Sequence, residues 1–407
     1  MTNFAFKISA LAFSLSSLLA CSEPTKNETK MVLDGAQIAQ KYIIIDGHID
    51  VPYRLEEQWA DVTKATDGGD FDYPRAKSGG LNAPFMSIYI PPAFELSGGS
   101  KQVADKLIDS VESIVNSAPE KFAIATSVSD VKKHFQQGLI SLPMGMENGS
   151  PIEGKIENLK HFYDRGVRYI TLTHSKTNHI SDSSYDPLRP ASGLTNFGKS
   201  LVKEMNYIGM MIDVSHISDD AFYQVMSISK APVIASHSSA RKFTPGFERN
   251  MSDDMLLKLK ENGGVIQINF GSSFISQAAI EHKDAYKLKL NEFMAQNTVT
   301  PNSDEVKAFR QEYLVNTPFP FASTDDVLDH FDHVVNLIGI DHVGIGSDYD
   351  GVGDSLPTGL KDVSSYPNLI DGLLKRGYSE KDIEKILSGN VFRVWQMVED
   401  FSNNYSN

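Results

Sequence analysis

Eight short apolar runs, rich in β-branched residues, recur along this chain with stretches of helical period between them. They lie at residues 42–50, 85–90, 141–147, 167–174, 210–216, 233–237, 265–270 and 342–348. Between them, residues 101–116 set Val103, Leu107, Val111, Ile114 and Val115 on one helical stripe. Residues 196–208 do the same with Phe197, Leu201, Met205 and Ile208, and residues 324–338 with Val327, Phe331, Val334 and Ile338. Strand and helix in alternation imply parallel βα units, and eight such units predict an α/β chain closed as a (β/α)8 TIM barrel. The 407 residues would make two or three average domains, but a barrel of this kind fills about 250 residues or more as one unit. Residues 272–320 are charged and mostly helical in pattern, and read as an excursion after the seventh strand that serves as a lid or dimer element.

The amino terminus is a separate matter. Residues 1–20 carry one charge, Lys7, followed by an apolar stretch from Ile8 to Ala20 that is too short to span a bilayer. They fit a signal peptide. Leu18-Leu19-Ala20-Cys21 resembles the lipobox of bacterial lipoproteins, with Cys21, the only cysteine, as the lipidated residue. Ser22 follows it rather than Asp, which favours the outer membrane, with the periplasmic face expected. Residues 21–35 then serve as anchor and polar tether, and residues 36–400 as a single catalytic domain. One thiol excludes an intrachain disulfide, and a net charge of −14 argues against nucleic acid as a partner.

Most of the runs end on a metal-binding or proton-carrying residue. In a (β/α)8 barrel the carboxyl ends of the strands form one face, so such residues converge although scattered in sequence. His48 and Asp50, two apart at the end of the first run, point to the same side. Glu147 ends the third run, His216 the fifth and His237 the sixth. Imidazole nitrogens with carboxylate oxygens suit a divalent ion such as zinc. Five ligands exceed the three protein ligands usual for one catalytic zinc, so two ions sharing Glu147 explain the set better. His174 ends the fourth run and Asp348 the eighth, and both are candidates for chemistry rather than ligation. His134, His161, His330 and His333 fall on helical patterns with polar neighbours and are expected at the solvated surface. His282 lies in the excursion and His342 at the non-catalytic end of the last strand, while His179, after the fourth strand, is a candidate to line the pocket.

Taken together, Asp46-Gly47-His48-Ile49-Asp50, Thr171-Leu172-Thr173-His174-Ser175, Asp213-Val214-Ser215-His216, Ser236-His237-Ser238-Ser239-Ala240-Arg241, Arg249-Asn250, Gly344-Ile345-Gly346-Ser347-Asp348-Tyr349-Asp350-Gly351 and Gly389-Asn390-Val391-Phe392-Arg393 resemble the renal (membrane) dipeptidase family, peptidase family M19 of the amidohydrolase superfamily. The resemblance implies a zinc-dependent dipeptidase with two zinc ions per subunit, one on His48 and Asp50, the other on His216 and His237, bridged by Glu147. It implies that an activated water between the ions attacks the peptide bond. Asp348 then handles the proton, while His174 and Arg249 bind substrate, Arg249 through the free carboxylate. It also implies a homodimer, and allows L-L, L-D and dehydrodipeptide substrates as well as carbapenem-type β-lactams. One departure stands out: the family usually has Glu-Gly-Gly where this chain has Glu147-Asn148-Gly149, and a side chain at 148 is expected to narrow or reshape the pocket. The rival enzyme reading is another binuclear hydrolase on the same barrel, such as a lactonase, phosphotriesterase or cyclic-amide hydrolase. A carboxylated lysine bridges the ions in many of those, and Glu147 with His174 favours the dipeptidase pattern. A surface lipoprotein that binds peptides or metal without chemistry would need no proton carrier at Asp348.

Overall fold

The computed structural model describes residues 1–5 and 33–405. Eight parallel strands form one sheet in sequential order: β1 Ile44–Ile49, β2 Leu81–Tyr89, β3 Met144–Glu147, β4 Val167–Thr171, β5 Met211–Asp213, β6 Ile234–Ser238, β7 Val265–Ile268 and β8 Val343–Ile345. The sheet comes round on itself at the carboxyl ends, where Asp50 N donates to Tyr349 O at 2.9 Å and Asp348 N to His48 O at 3.1 Å. Every residue of β1 and β3 to β8 is buried, because helices cover the outer face and side chains fill the interior. This is the TIM-barrel fold that the strand–helix alternation predicts.

The outer helices start and stop where local chemistry directs. Thr195 caps the helix Asn196–Ile208 by accepting from Gly198 N, its Leu201, Val202 and Met205 face the barrel, and Gly209 ends it at φ 84°. Ser218 and Ser252 cap the next two helices, Asp219–Ile228 and Asp253–Asn262, in the same way. The third sequence run divides at Pro143. Ile140–Leu142 pairs with Phe122–Ile124 in a small separate sheet, and only Met144–Glu147 enters the barrel. Residues 272–320 contain the helices Ser272–Ile275, Gln277–Asn297 and Asp304–Asn316. Residues 34–407 make one compact unit. Cys21 and the leader lie outside the described residues. Among those described, no helix is long and apolar enough to cross a membrane.

Candidate metal centre

At the carboxyl ends of the strands, side chains from β1, β3, β5 and β6 meet around Glu147. Its Oε2 lies 3.4 Å from His48 Nε2, which is itself 3.4 Å from Asp50 Oδ2. Its Oε1 lies 3.0 Å from His216 Nε2 and 3.2 Å from His237 Nε2, and 3.6 Å from His174 Nε2. One carboxylate therefore faces two groups of ligand atoms, one with each oxygen. Asp348 falls in the group with His48 and Asp50, and His174 in the group with Glu147 and His216. All seven are buried or nearly so, and Asp50, Glu147, His174, His216 and Asp348 line a cavity of about 730 Å³, within the usual size of small-molecule sites.

The surrounding hydrogen bonds leave lone pairs pointing inward. Tyr169 OH donates to Gly47 O at 3.0 Å, so it accepts from His48 Nδ1 at 2.8 Å, which leaves His48 Nε2 as the nitrogen turned to the site. Ser236 Oγ donates to Asp213 Oδ2 at 2.6 Å and accepts from His237 Nδ1 at 2.7 Å, with the same result for His237 Nε2. Support of this kind is what fixes the tautomer of a metal-ligating histidine. His48 Nε2, Asp50 Oδ1 and His216 Nδ1 are buried without a hydrogen-bond partner, and two imidazole nitrogens, His216 Nε2 and His237 Nε2, stand 2.9 Å apart. Buried polar atoms normally find partners. Bare nitrogens and carboxylate oxygens converging in this way fit divalent metal ions.

The electrostatics agree. Burial, with Arg249 and His174 nearby, pushes His216 well below the usual histidine value. Burial, with His48 and Arg249, takes His237 down to about 3. Both stay neutral, as ligands must. Burial also opposes charge on His48, but Tyr169, Glu147 and Asp50 outweigh it and hold its pKa well above the ordinary value. Glu147 remains ionised, because the imidazoles around it overcome the effect of burial. Asp348 goes the other way: burial, reinforced by Asp50 and Glu147, lifts it well above the carboxylate range despite His48. Asn269 Nδ2 donates to Asp348 Oδ2 at 2.7 Å, leaving the other oxygen available. His216 and Asp348 hold left-handed backbone, φ 70° and 64°, which costs non-glycine residues about 1–2 kcal/mol and collects at functional sites.

Arg249 is buried on the side of β6, where its terminal nitrogens donate to Ser238 Oγ and His237 O at 2.7 Å each. Nε has no partner, so three of its five donor hydrogens remain for a ligand. Asn148 corrects an expectation. It takes φ 76°, a conformation Asn tolerates better than most side chains, and its amide turns away from the cavity. Its Nδ2 donates to Ile90 O at 2.9 Å, and its Oδ1 accepts from Ser150 Oγ at 2.8 Å and Asn178 Nδ2 at 3.0 Å, so it braces the loop and does not narrow the pocket. His330 is a second correction: it is fully buried, accepting from Ala240 N and facing Ile275 O, each at 3.0 Å. His179 is a third, because it bonds Glu95 at 3.0 Å and lines a smaller, separate cavity. Tyr169, Asp213 and Asn269 are the supporting residues that the strand-end pattern does not single out.

Comparison with known proteins matches this architecture. The chain is 32% identical over 373 residues, 88% of its length and 81% of the relative's, to an uncharacterized dipeptidase of Schizosaccharomyces pombe. The solved probable dipeptidase PvdM of Pseudomonas aeruginosa superposes with a TM-score of 0.77 at 27% identity, covering 90% of this chain and 98% of that one. A metallo peptidase of Rhodobacter sphaeroides, solved with a phosphinate mimic of the dipeptide L-Ala-D-Ala, gives a TM-score of 0.71 at 25% identity, covering 88% and 99%. Residues 34–407 match the description of the membrane dipeptidases, and the chain belongs to that family, peptidase family M19.

Proposed function

We propose that this metallopeptidase is a dipeptidase using two zinc ions per subunit, with His48 and Asp50 holding one, His216 and His237 the other, and Glu147 both. The observation that supports this most is the placement of the two Glu147 oxygens, each turned to a different ligand group. Bound zinc would polarise the scissile carbonyl and make water acidic enough to attack it at neutral pH. Asp348, with one oxygen held by Asn269 and a pKa raised by burial, accepts the proton of the attacking water and returns it to the departing amine. Neutral His174 donates to the oxygen of the carbonyl as charge grows there, a contribution of about 3 kcal/mol for donors of this kind. Arg249 grips the substrate's free carboxylate with its spare donors. A mixed panel of L-L and L-D dipeptides, assayed with metal analysis and chelated protein as the blank, tests the reading. Metal-dependent cleavage is expected, and two tightly bound ions with no peptide cleaved would overturn it.

Residues 36–400 are taken as the catalytic domain, with Cys21 as a lipid anchor in the bacterial envelope and a homodimer as the assembly. Labelling with an alkyne fatty acid checks the anchor: Cys21→Ser is expected to lose the label and leave the membrane fraction.

A further inference from the structure

Going round the barrel, the charges that line the cavity change sign. Asp50 and Glu57 follow β1, Asp348 and Asp350 follow β8, and these two strands are neighbours at the closure. The basic groups come from the other side: Lys176 follows β4 and Lys283 and Lys287 follow β7, while Arg249, after β6, is buried behind the lining residue Phe274. Lys283 and Lys287 stand four residues apart on the helix Gln277–Asn297, so they share a face, and both line the cavity. Neither is ion-paired or hydrogen-bonded to a described residue. Lys289 on the same helix does not line the cavity and is paired with Glu292 at 2.9 Å. Like charges at this spacing repel, and an anion held between them removes the repulsion.

We infer that the substrates this site prefers carry an acidic side chain on their second residue, recognised by Lys283 and Lys287. The inference rests on the dipeptidase reading and on Arg249 as the grip for the terminal carboxylate. Arg249 lies over the ring of Phe274 at 5.3 Å, and Phe274 lines the cavity from the segment that leads into the helix of the two lysines. A second residue anchored at Arg249 therefore sends its side chain along Phe274 towards that pair. The amino end of the substrate is left facing the acidic sector, where a basic amine belongs.

The test compares kcat/KM for Ala-Glu and Ala-Gln, which differ in charge but hardly in shape, with Ala-Ala, Glu-Ala and Gln-Ala beside them. Native enzyme is expected to favour Ala-Glu over Ala-Gln by about fivefold at low salt, the scale of two solvent-exposed charge pairs, and by less as ionic strength rises. The Lys283→Gln, Lys287→Gln double variant should bring the ratio to about one. Because the ratio is internal to each enzyme, a general loss of activity does not move it. Cleavage of Ala-Ala and Ala-Gln without a preference for Ala-Glu, a preference that survives in the double variant, or one that appears at the first residue instead would overturn this inference alone. Failure to cleave any of the five would overturn the dipeptidase reading with it.

Discussion

Single atoms decide the chemistry of this site. Tyr169 OH holds His48 by Nδ1 and turns Nε2 to the site, so Tyr169→Phe, which keeps the ring and removes the hydroxyl, should weaken metal binding by about 10–100-fold. Chelator competition measures this, and unchanged affinity would show that the tautomer is fixed in another way. Asp348→Asn should retain metal and lose about 10²–10⁴-fold in kcat, since the amide cannot take up a proton. Turnover near normal with metal bound would place the proton elsewhere. His330 gives a pH effect. Burial takes it down to about 4, while an unfolded histidine titrates near 6.5. Between those values the unfolded chain binds a proton that the folded one refuses, so stability falls as pH drops through that window, by about 3 kcal/mol in all. His330→Gln should flatten the urea midpoint against pH between 7 and 4.5 relative to the native protein, whatever it costs at neutral pH. His48, Asp50, Glu147, His174, His216, His237 and Asp348 were legible in the sequence because each ends an apolar run, where a titratable residue stands out. Tyr169 was not, since a tyrosine inside a strand reads as core. The same holds for His330, whose polar neighbours in sequence say nothing of the loop packed over it.

The elements do more than carry ligands, because two loops are locked together across the barrel closure. Arg54, on the helix Val51–Glu57 that starts next to Asp50, places Nε 3.1 Å from Asp350 Oδ2 in the loop that bears Asp348. Asp70 and Asp350 exchange backbone-to-carboxylate hydrogen bonds of 2.6 and 2.8 Å. Between them Gly351 passes so close that a Cβ there would lie 2.2 Å from Asp50 Oδ2 and 2.3 Å from Asp348 Oδ1. Arg54→Met removes the cation and strands a buried carboxylate, which should cost about 3 kcal/mol in urea denaturation. It should also lower kcat/KM by more than the stability loss explains, because Asp348 loses its bracing. Equal activity at a temperature where the variant is folded would mean the lock serves stability alone. The alternation of strand and helix made the barrel readable from periodicity. What periodicity could not show is the division at Pro143. Ile140, Leu142, Met144 and Met146 keep an unbroken alternation through it, and the break depends on which neighbour, Phe122–Ile124 or β2, each half finds to pair with.

At the scale of the whole molecule, folding gathers negative and neutral ligands from strands far apart in sequence, and the fold and the metal must then support one another. Tyr169, Glu147 and Asp50 raise the pKa of His48 against the effect of burial, and so favour a proton on its Nε2 in the absence of metal. Metal binding has to expel that proton before Nε2 can act as a ligand. Calorimetric titration of metal-stripped protein near pH 7, in two buffers of different ionisation enthalpy, should therefore show release of at least one proton per chain. Apparent affinity should rise with pH by up to about tenfold per unit while His48 stays protonated in the free protein. Because the ligands converge only in the folded state, binding also stabilises it, by about 4 kcal/mol when free metal exceeds its dissociation constant a thousandfold. Thermal unfolding should then move upward with metal and return on chelation. The same titration counts ions: a stoichiometry of two supports Glu147 as a shared ligand, whereas one ion and no proton release would mean that the Glu147 oxygens do not serve separate sites and that His48 is no ligand.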